Sequence, residues 1–346
     1  MSITNWPLWA VIGLFVLATC VIGVAGVRMT RLADRLADVT GLGEAIFGAV
    51  FLGVTTSLSG SITSIVSAYE GYPELAVSNS IGGIAAQTAF LALADITYRN
   101  VNLEHAAASI ENLMQGGLLI LMLALPLTAM SVAPLTVWQI HPLSLLLVVA
   151  YIFGLRQVSQ ARAIPLWQPK HTAETRADVP QTEAEALAGA AVMTLWLRFG
   201  LLVLVVGVAG YTVAETGMAI SDRTGLSQTV VGALFTAVST SLPELVTALA
   251  AVRQRALTLA VGNIIGGNSF DVLFLAFADI AYRGGSIYHA ISDRQLFIIA
   301  VAQVMTAVLV LGLLRREKRG IANIGFESFL VLVIYLVAIV ILFVAS

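Results

Sequence analysis

Charge is scarce in this chain. Only 11% of its 346 residues are Asp, Glu, Lys or Arg, against about 25% in an ordinary soluble domain. Cysteine is almost missing. Cys20 stands alone, which excludes an internal disulfide and any multi-cysteine metal site; its apolar run predicts a buried, inert thiol. No nucleophile and base pair, no Gly-rich Lys-Ser/Thr phosphate loop and no His cluster with ligand spacing is present. Neither an enzyme nor a resident cofactor is therefore expected. The formal net charge of −2 says little, and no nucleic-acid partner is expected. The N-terminus has no basic n-region and no small-residue cleavage site, so its first apolar run is expected to be retained as a span.

What the chain has is apolar length. Hydrophobic residues make up 58% of it, and the mean hydropathy is +0.92. Its apolar runs are hydrophobic on all faces for about twenty residues, so they suit membrane helices and not alternating barrel strands. Ten runs can be marked, near 8–27, 43–68, 75–97, 112–133, 138–155, 190–214, 226–251, 258–281, 295–314 and 321–344. A polar linker with Pro165, Pro169 and Pro180 separates the fifth from the sixth. It is expected to lie outside the bilayer, partly disordered. The predicted fold is an all-α polytopic membrane protein. A first five-helix unit covers 1–155, the linker 156–188, and a second five-helix unit 189–346.

Basic residues set the orientation. Odd-numbered loops hold 14 of the 18 Lys and Arg residues, and even-numbered loops hold three. This bias puts the odd loops in the cytoplasm and both termini outside a bacterial-type inner membrane.

The two halves repeat. With a shift of 184 residues, 225–244 lies on 41–60 with nine of twenty positions identical, and 259–280 lies on 75–96 with thirteen of twenty-two identical. The matches include Asn79 with Asn263 and Asp95 with Asp279. Five spans per half is an odd number, so the second copy enters the membrane inverted. Inverted repeats are a transporter signature, with the site near the midplane. Asp95 and Asp279, at span ends, are expected to cap backbone or pair with Arg99 and Arg283.

Two acids fall inside apolar runs of the second half, and intramembrane acids face cavities, ions or partners. Glu244 follows Ser239-Thr240-Ser241-Leu242-Pro243. Pro243 should break its helix and free carbonyls around Ala237 and Thr240. Those carbonyls, the Thr240 and Ser241 hydroxyls and the Glu244 carboxylate make a hard oxygen set suited to Ca²⁺ or Na⁺. Asp271 comes 27 residues later with Asn263 and Asn268 upstream on roughly one helical flank. Two acids without a basic partner imply a cation, protons or both.

The segments FTAVSTSLPELVTALAA and AVGNIIGGNSFDVLF resemble the second alpha repeat of the sodium/calcium exchanger family, within the calcium/cation antiporter group. The resemblance implies ten helices in two inverted halves and exchange of Ca²⁺ or a related cation for Na⁺ or H⁺ by alternating access. Transported ions and the lipid bilayer would be its partners, as a monomer or a homo-oligomer. It places Glu244, Thr240, Ser241, Asp271 and the Ala237 carbonyl at the ion site. From the first half it adds Thr56, Ser57, the Gly53 carbonyl, Asn79 and Gln87. The first half departs from the family pattern, because Ser59 and Gly60 stand where a Pro-Glu pair is usual. One wall of the site is therefore expected to be almost neutral, with weaker or altered divalent binding. The alternatives are monovalent cation/proton exchange without Ca²⁺, and an ion-binding homologue that does not transport.

Overall fold

Backbone placed in lipid must bond to itself, so long apolar runs become helices. The computed structural model describes residues 6–40, 51, 53–98, 101–170, 189–318, 320 and 325–344. Its helices are α1 (Leu8–Thr40), α2 (Leu58–Tyr69), α3 (Pro73–Thr97), the short α4 (Leu103–Ala107), α5 (Ile110–Ser131), α6 (Pro142–Ala163) and α7 (Gly189–Thr224). They continue as α8 (Gln228–Thr240), α9 (Leu242–Arg253), α10 (Leu257–Ala281), α11 (Arg294–Arg315) and α12 (Phe326–Val344). Among the described residues eight helices are long and apolar enough to cross a bilayer, or nine if the bent pair α8 and α9 is one span. The second expected run begins at residues outside the described set, and its described part is residue 51, the helical residues 53–56 and α2. The chain is thus an all-α polytopic membrane protein. Residues 171–188 of the expected linker also lie outside the described set, and its first residues prolong α6 to Ala163.

Two helices form the centre. The apolar windows of α3 and α10 are 83% and 72% buried, whereas no other intact span exceeds 44%. The peripheral helices turn their apolar sides outward, as lipid requires. This corrects the expectation for Cys20. Its thiol is exposed on α1, on the face that also shows Val16, Leu17 and Val24. An apolar run in a membrane protein has an outer face, so hydrophobicity alone does not place a residue inside.

Packing at the centre is close. A Cβ on Gly82 of α3 would lie 2.5 Å from Ala233 Cα, so only glycine fits there. Ala233 belongs to a π-helical turn, Val231–Thr236, inside α8. Such turns widen a helix locally and often accompany functional sites.

Two acids fasten the halves together. Asp95, near the end of α3, accepts hydrogen bonds from Leu103 N at 2.6 Å and Gly325 N at 3.0 Å. Asp279, near the end of α10, accepts from Ile287 N at 2.9 Å, His141 N at 2.7 Å and Ser144 Oγ at 2.6 Å. Leu103 and Ile287 each lie eight residues beyond their acid. Gly325 and His141 are repeat counterparts from the opposite half. Each carboxylate therefore caps a backbone turn in its own half and holds a helix entry from the other. The capping alternative holds for both. Arg99 lies outside the described residues.

Candidate functional site

The seventh run breaks one residue before the helix that carries Glu244. Ser241 leaves helical geometry at φ −95°, ψ 6°, and α9 departs from α8 at 48°. Pro243 then sits in the first turn of α9, where its missing N–H costs nothing. Ser57, the repeat counterpart of Ser241, has φ −92°, ψ 9° ahead of α2. No proline follows it. The break therefore belongs to both halves, and Pro243 accommodates it without being its sole cause.

Asp271 is the hub of the contacts. Ser57 Oγ donates to its Oδ1 at 2.5 Å, and Gln87 Nε2 donates to its Oδ2 at 2.7 Å. Gln87 Nε2 also reaches Ser241 Oγ at 3.2 Å. Ser80 Oγ holds the Asp271 carbonyl at 2.7 Å. Both Asp271 oxygens are thus oriented by the first half of the chain.

Glu244 is 4% exposed, and its Oε2 has no hydrogen-bond partner. Among the other buried polar atoms in that condition, Gln87 Oε1 and Asn79 Oδ1 belong to neighbouring residues. All three residues line one small cavity, with room for about one water-sized guest, together with Ser57, Thr240, Ser241 and Asp271, and with Gly60, Gly83 and Phe274 completing its walls. None of its lining residues is basic. Buried acceptors without donors are costly, and three in one cavity call for a positively charged or protic guest. Among the described residues no group of three or more His, Cys, Asp or Glu could hold a metal. A cation here rests on two carboxylates and neutral oxygens.

Seven of the twelve expected site residues line this cavity: Glu244, Asp271, Thr240, Ser241, Ser57, Asn79 and Gln87. Ala237 and Gly53 do not. The Ala237 carbonyl accepts from Ser241 N and Thr240 Oγ1 at 3.1 and 3.2 Å. The Gly53 carbonyl accepts from Ser57 N and Thr56 Oγ1 at 3.0 and 3.2 Å. Each carbonyl thus already accepts a backbone N–H and lies within reach of a threonine hydroxyl, which for Thr240 is nearer Thr236 O at 3.0 Å. Asn268 lies buried between α10 and α3, donating to Thr88 Oγ1 at 3.1 Å and Ile84 O at 3.4 Å. Asn263 is exposed, while its counterpart Asn79 is 1% exposed and donates to Gly60 O at 3.1 Å. Phe274 was not foreseen. Its place one turn after Asp271, on the same flank, was the available signal.

A second polar network lies near the start of α3. Glu74 accepts from Thr229 Oγ1 and Ser292 N, both at 3.0 Å. Gln295 Nε2 donates to Ser78 Oγ at 2.7 Å and Thr229 Oγ1 at 3.0 Å. Glu74 is therefore tied into a seam between α3, α8 and α11.

A family model described as sodium/calcium exchanger protein matches residues 10–156 and 194–344. The chain belongs to the sodium/calcium exchanger family. Inner membrane protein YrbG of Escherichia coli (strain K12) is 28% identical over 160 residues, covering 46% of this chain and 47% of that protein. Putative antiporter CaxA of Alkalimonas amylolytica is 31% identical over 128 residues, covering 36% of this chain and 40% of the relative. Sodium/calcium exchanger MaX1 of Methanosarcina acetivorans is 30% identical over 140 residues, 38% of each chain. The matched stretch thus spans less than half the length of each of these relatives. Among solved structures, an H⁺/Ca²⁺ exchanger, CAX, superposes with TM-score 0.69 at 13% identity, covering 97% of this chain and 86% of that one. The sodium-calcium exchanger NCX_Mj superposes with TM-score 0.58 at 19% identity, covering 96% and 99%. At such identities the likeness of this family member to them is one of fold.

Proposed function

We propose that this family member is a secondary antiporter of a bacterial-type inner membrane, with Ca²⁺ or a related cation exchanged for Na⁺ or H⁺ by alternating access. The observation that carries the reading is the cavity itself. Glu244, Asp271, Gln87 and Asn79, each of the last two with an unpartnered oxygen, line it with no basic neighbour. The names of the related exchangers supply the candidate ions.

The ten-helix layout of two inverted five-helix repeats, with both termini outside, is part of this reading. Contacts between counterparts support it, since Gln87 bonds Asp271 and Asn268 bonds the Ile84 carbonyl, each pair 184 residues apart. Two copies related by a two-fold axis bring equivalent positions together at that axis. Alternating access has its own support. Asn79 and Thr63 are buried, whereas their counterparts Asn263 and Thr247 are exposed and half-buried. We read the side of Asn79, where Glu74, Thr229 and Gln295 are joined by hydrogen bonds, as the closed one, and the side of Asn263 as the open one.

Monovalent cation/proton exchange without Ca²⁺ is the second reading, favoured by glycine at position 60 opposite Glu244. Reconstituted vesicles separate the two. Uptake of labelled Ca²⁺ driven by an outward Na⁺ or proton gradient supports the first, and flux of monovalent ions alone supports the second. Binding without any flux, over a panel of cations tested against one gradient at a time, would overturn the antiporter reading.

A further inference from the structure

Gly60 is the repeat counterpart of Glu244, and a benzyl ring fills the space beside it. A Cβ on Gly60 would lie 2.7 Å from Phe274 Cε2 and 3.2 Å from Cζ. Phe274 is 3% exposed. It lies edge-on to Phe270 at 6.2 Å, and Phe270 in turn meets Tyr151 at 5.8 Å and Phe277 at 6.3 Å. A ring wedged in such a cluster does not swing aside freely. A carboxylate at position 60 would need the volume that the ring occupies.

The rest of the first half adds no charge to the cavity. Ser57 and Gln87 spend their donors on Asp271. The site therefore holds two formal negative charges, both from the second half, and a hydrocarbon wall where a third would stand. In a desolvated cavity the occupants must balance the charge of the walls, because a surplus in either direction is strongly disfavoured.

We infer that Phe274 is a specificity-determining residue, which caps the site at two negative charges and makes the exchange electroneutral. One divalent cation occupies the site in one direction, and two monovalent charges, as Na⁺ or H⁺, occupy it in the other. Each crossing then carries a neutral load. The inference rests on the antiporter reading.

The test uses the full chain in liposomes whose membrane potential is clamped with valinomycin and K⁺. Labelled Ca²⁺ is allowed to equilibrate against a fixed Na⁺ or proton gradient. If one net charge moved per cycle, about 100 mV would shift the final Ca²⁺ ratio about 50-fold. The expected result is a ratio that does not change with potential. A ratio that follows the potential overturns the inference and leaves the antiporter reading standing. Absence of Ca²⁺ flux, with monovalent exchange alone, overturns the one-divalent-for-two stoichiometry. Absence of flux for every cation overturns both.

Variants address the ring. Gly60→Glu combined with Phe274→Ala supplies the third carboxylate and the room for it, and is expected to bind Ca²⁺ about tenfold more tightly than wild type. Gly60→Glu alone should bring no gain. Equal gains in the single and double variants would show that the ring excludes nothing. The wild-type potential measurement decides the inference if either variant does not fold.

Discussion

Gln87 Nε2 donates to Asp271 Oδ2 at 2.7 Å, and these two residues hold the same place in the two repeats, 184 positions apart. An amide and a carboxylate meet where symmetry would have put identical side chains. Two carboxylates so close would repel each other without an ion between them. The amide instead orients the acid and leaves its own Oε1 without a partner.

Removal of either charge should stop the cycle. Glu244→Gln and Asp271→Asn are each expected to lower cation flux at least about 100-fold, through loss of a charged ligand from a desolvated site. The variants should keep their helical content, since each amide replaces its acid without change of shape. Wild-type flux from a folded variant would take that acid out of the mechanism.

The acids at the ends of α3 and α10 should matter for stability instead. In Asp279→Asn the new amide must turn an N–H toward a backbone N–H that it cannot satisfy, either Ile287 N or His141 N. A loss of about 3 kcal/mol is expected, with Asp95→Asn similar because its partners are equivalent. Thermal unfolding in detergent measures both. A melting point equal to wild type in either would refute the stapling role.

A pH dependence should come from Glu104 of α4. It sits where the other half has Tyr288, is 2% exposed, and accepts a hydrogen bond from Ser328 Oγ. Burial, and next the Asp95 carboxylate, raise its pKa from 4.5 to about 7. A carboxyl raised in the folded state binds its proton more tightly there than in the unfolded chain. It contributes stability below about pH 4.5 that is lost as pH rises through about 7. Comparison of wild type with Glu104→Gln across that window isolates the effect. Parallel stability curves for the two proteins would remove it.

Opening the Glu74 seam should expose the outer side of the site. In a Cys20→Ser background, Asn79→Cys is expected to resist an impermeant thiol reagent added from outside. Addition of Gln295→Leu removes the donors to Ser78 and Thr229 and should raise the labelling rate about tenfold, equivalent to about 1.4 kcal/mol of shifted population. No increase would mean that the seam does not gate that face.

Much of the site was legible before any coordinates. Glu244 and Asp271 stand out because acids in apolar runs require a reason, Asn79 is a match of the 184-residue repeat, and Ser57 and Gln87 come from the resemblance to the exchanger family. The carbonyls of Ala237 and Gly53 fall outside the lining of this cavity, and a broken helix does not reveal which neighbouring hydroxyls approach its lone pairs. Thr240 and Thr56 do so here. Asn263 and Asn79 are the same residue in the same repeat position, yet one is exposed and the other buried. No property of the repeat itself distinguishes them.

The sequence by itself determined the helical membrane class and the two acids of the second half, because hydrophobic length and buried charge are local costs that each segment carries wherever it packs. It also determined the missing carboxylate at Gly60. Only the tertiary structure decided that Phe274 fills that vacancy, that Gln87 grips Asp271, and that Glu74, Thr229 and Gln295 bond into one network. Those outcomes depend on which atoms of distant segments come within van der Waals or hydrogen-bond reach, and a period in the chain carries no such distances.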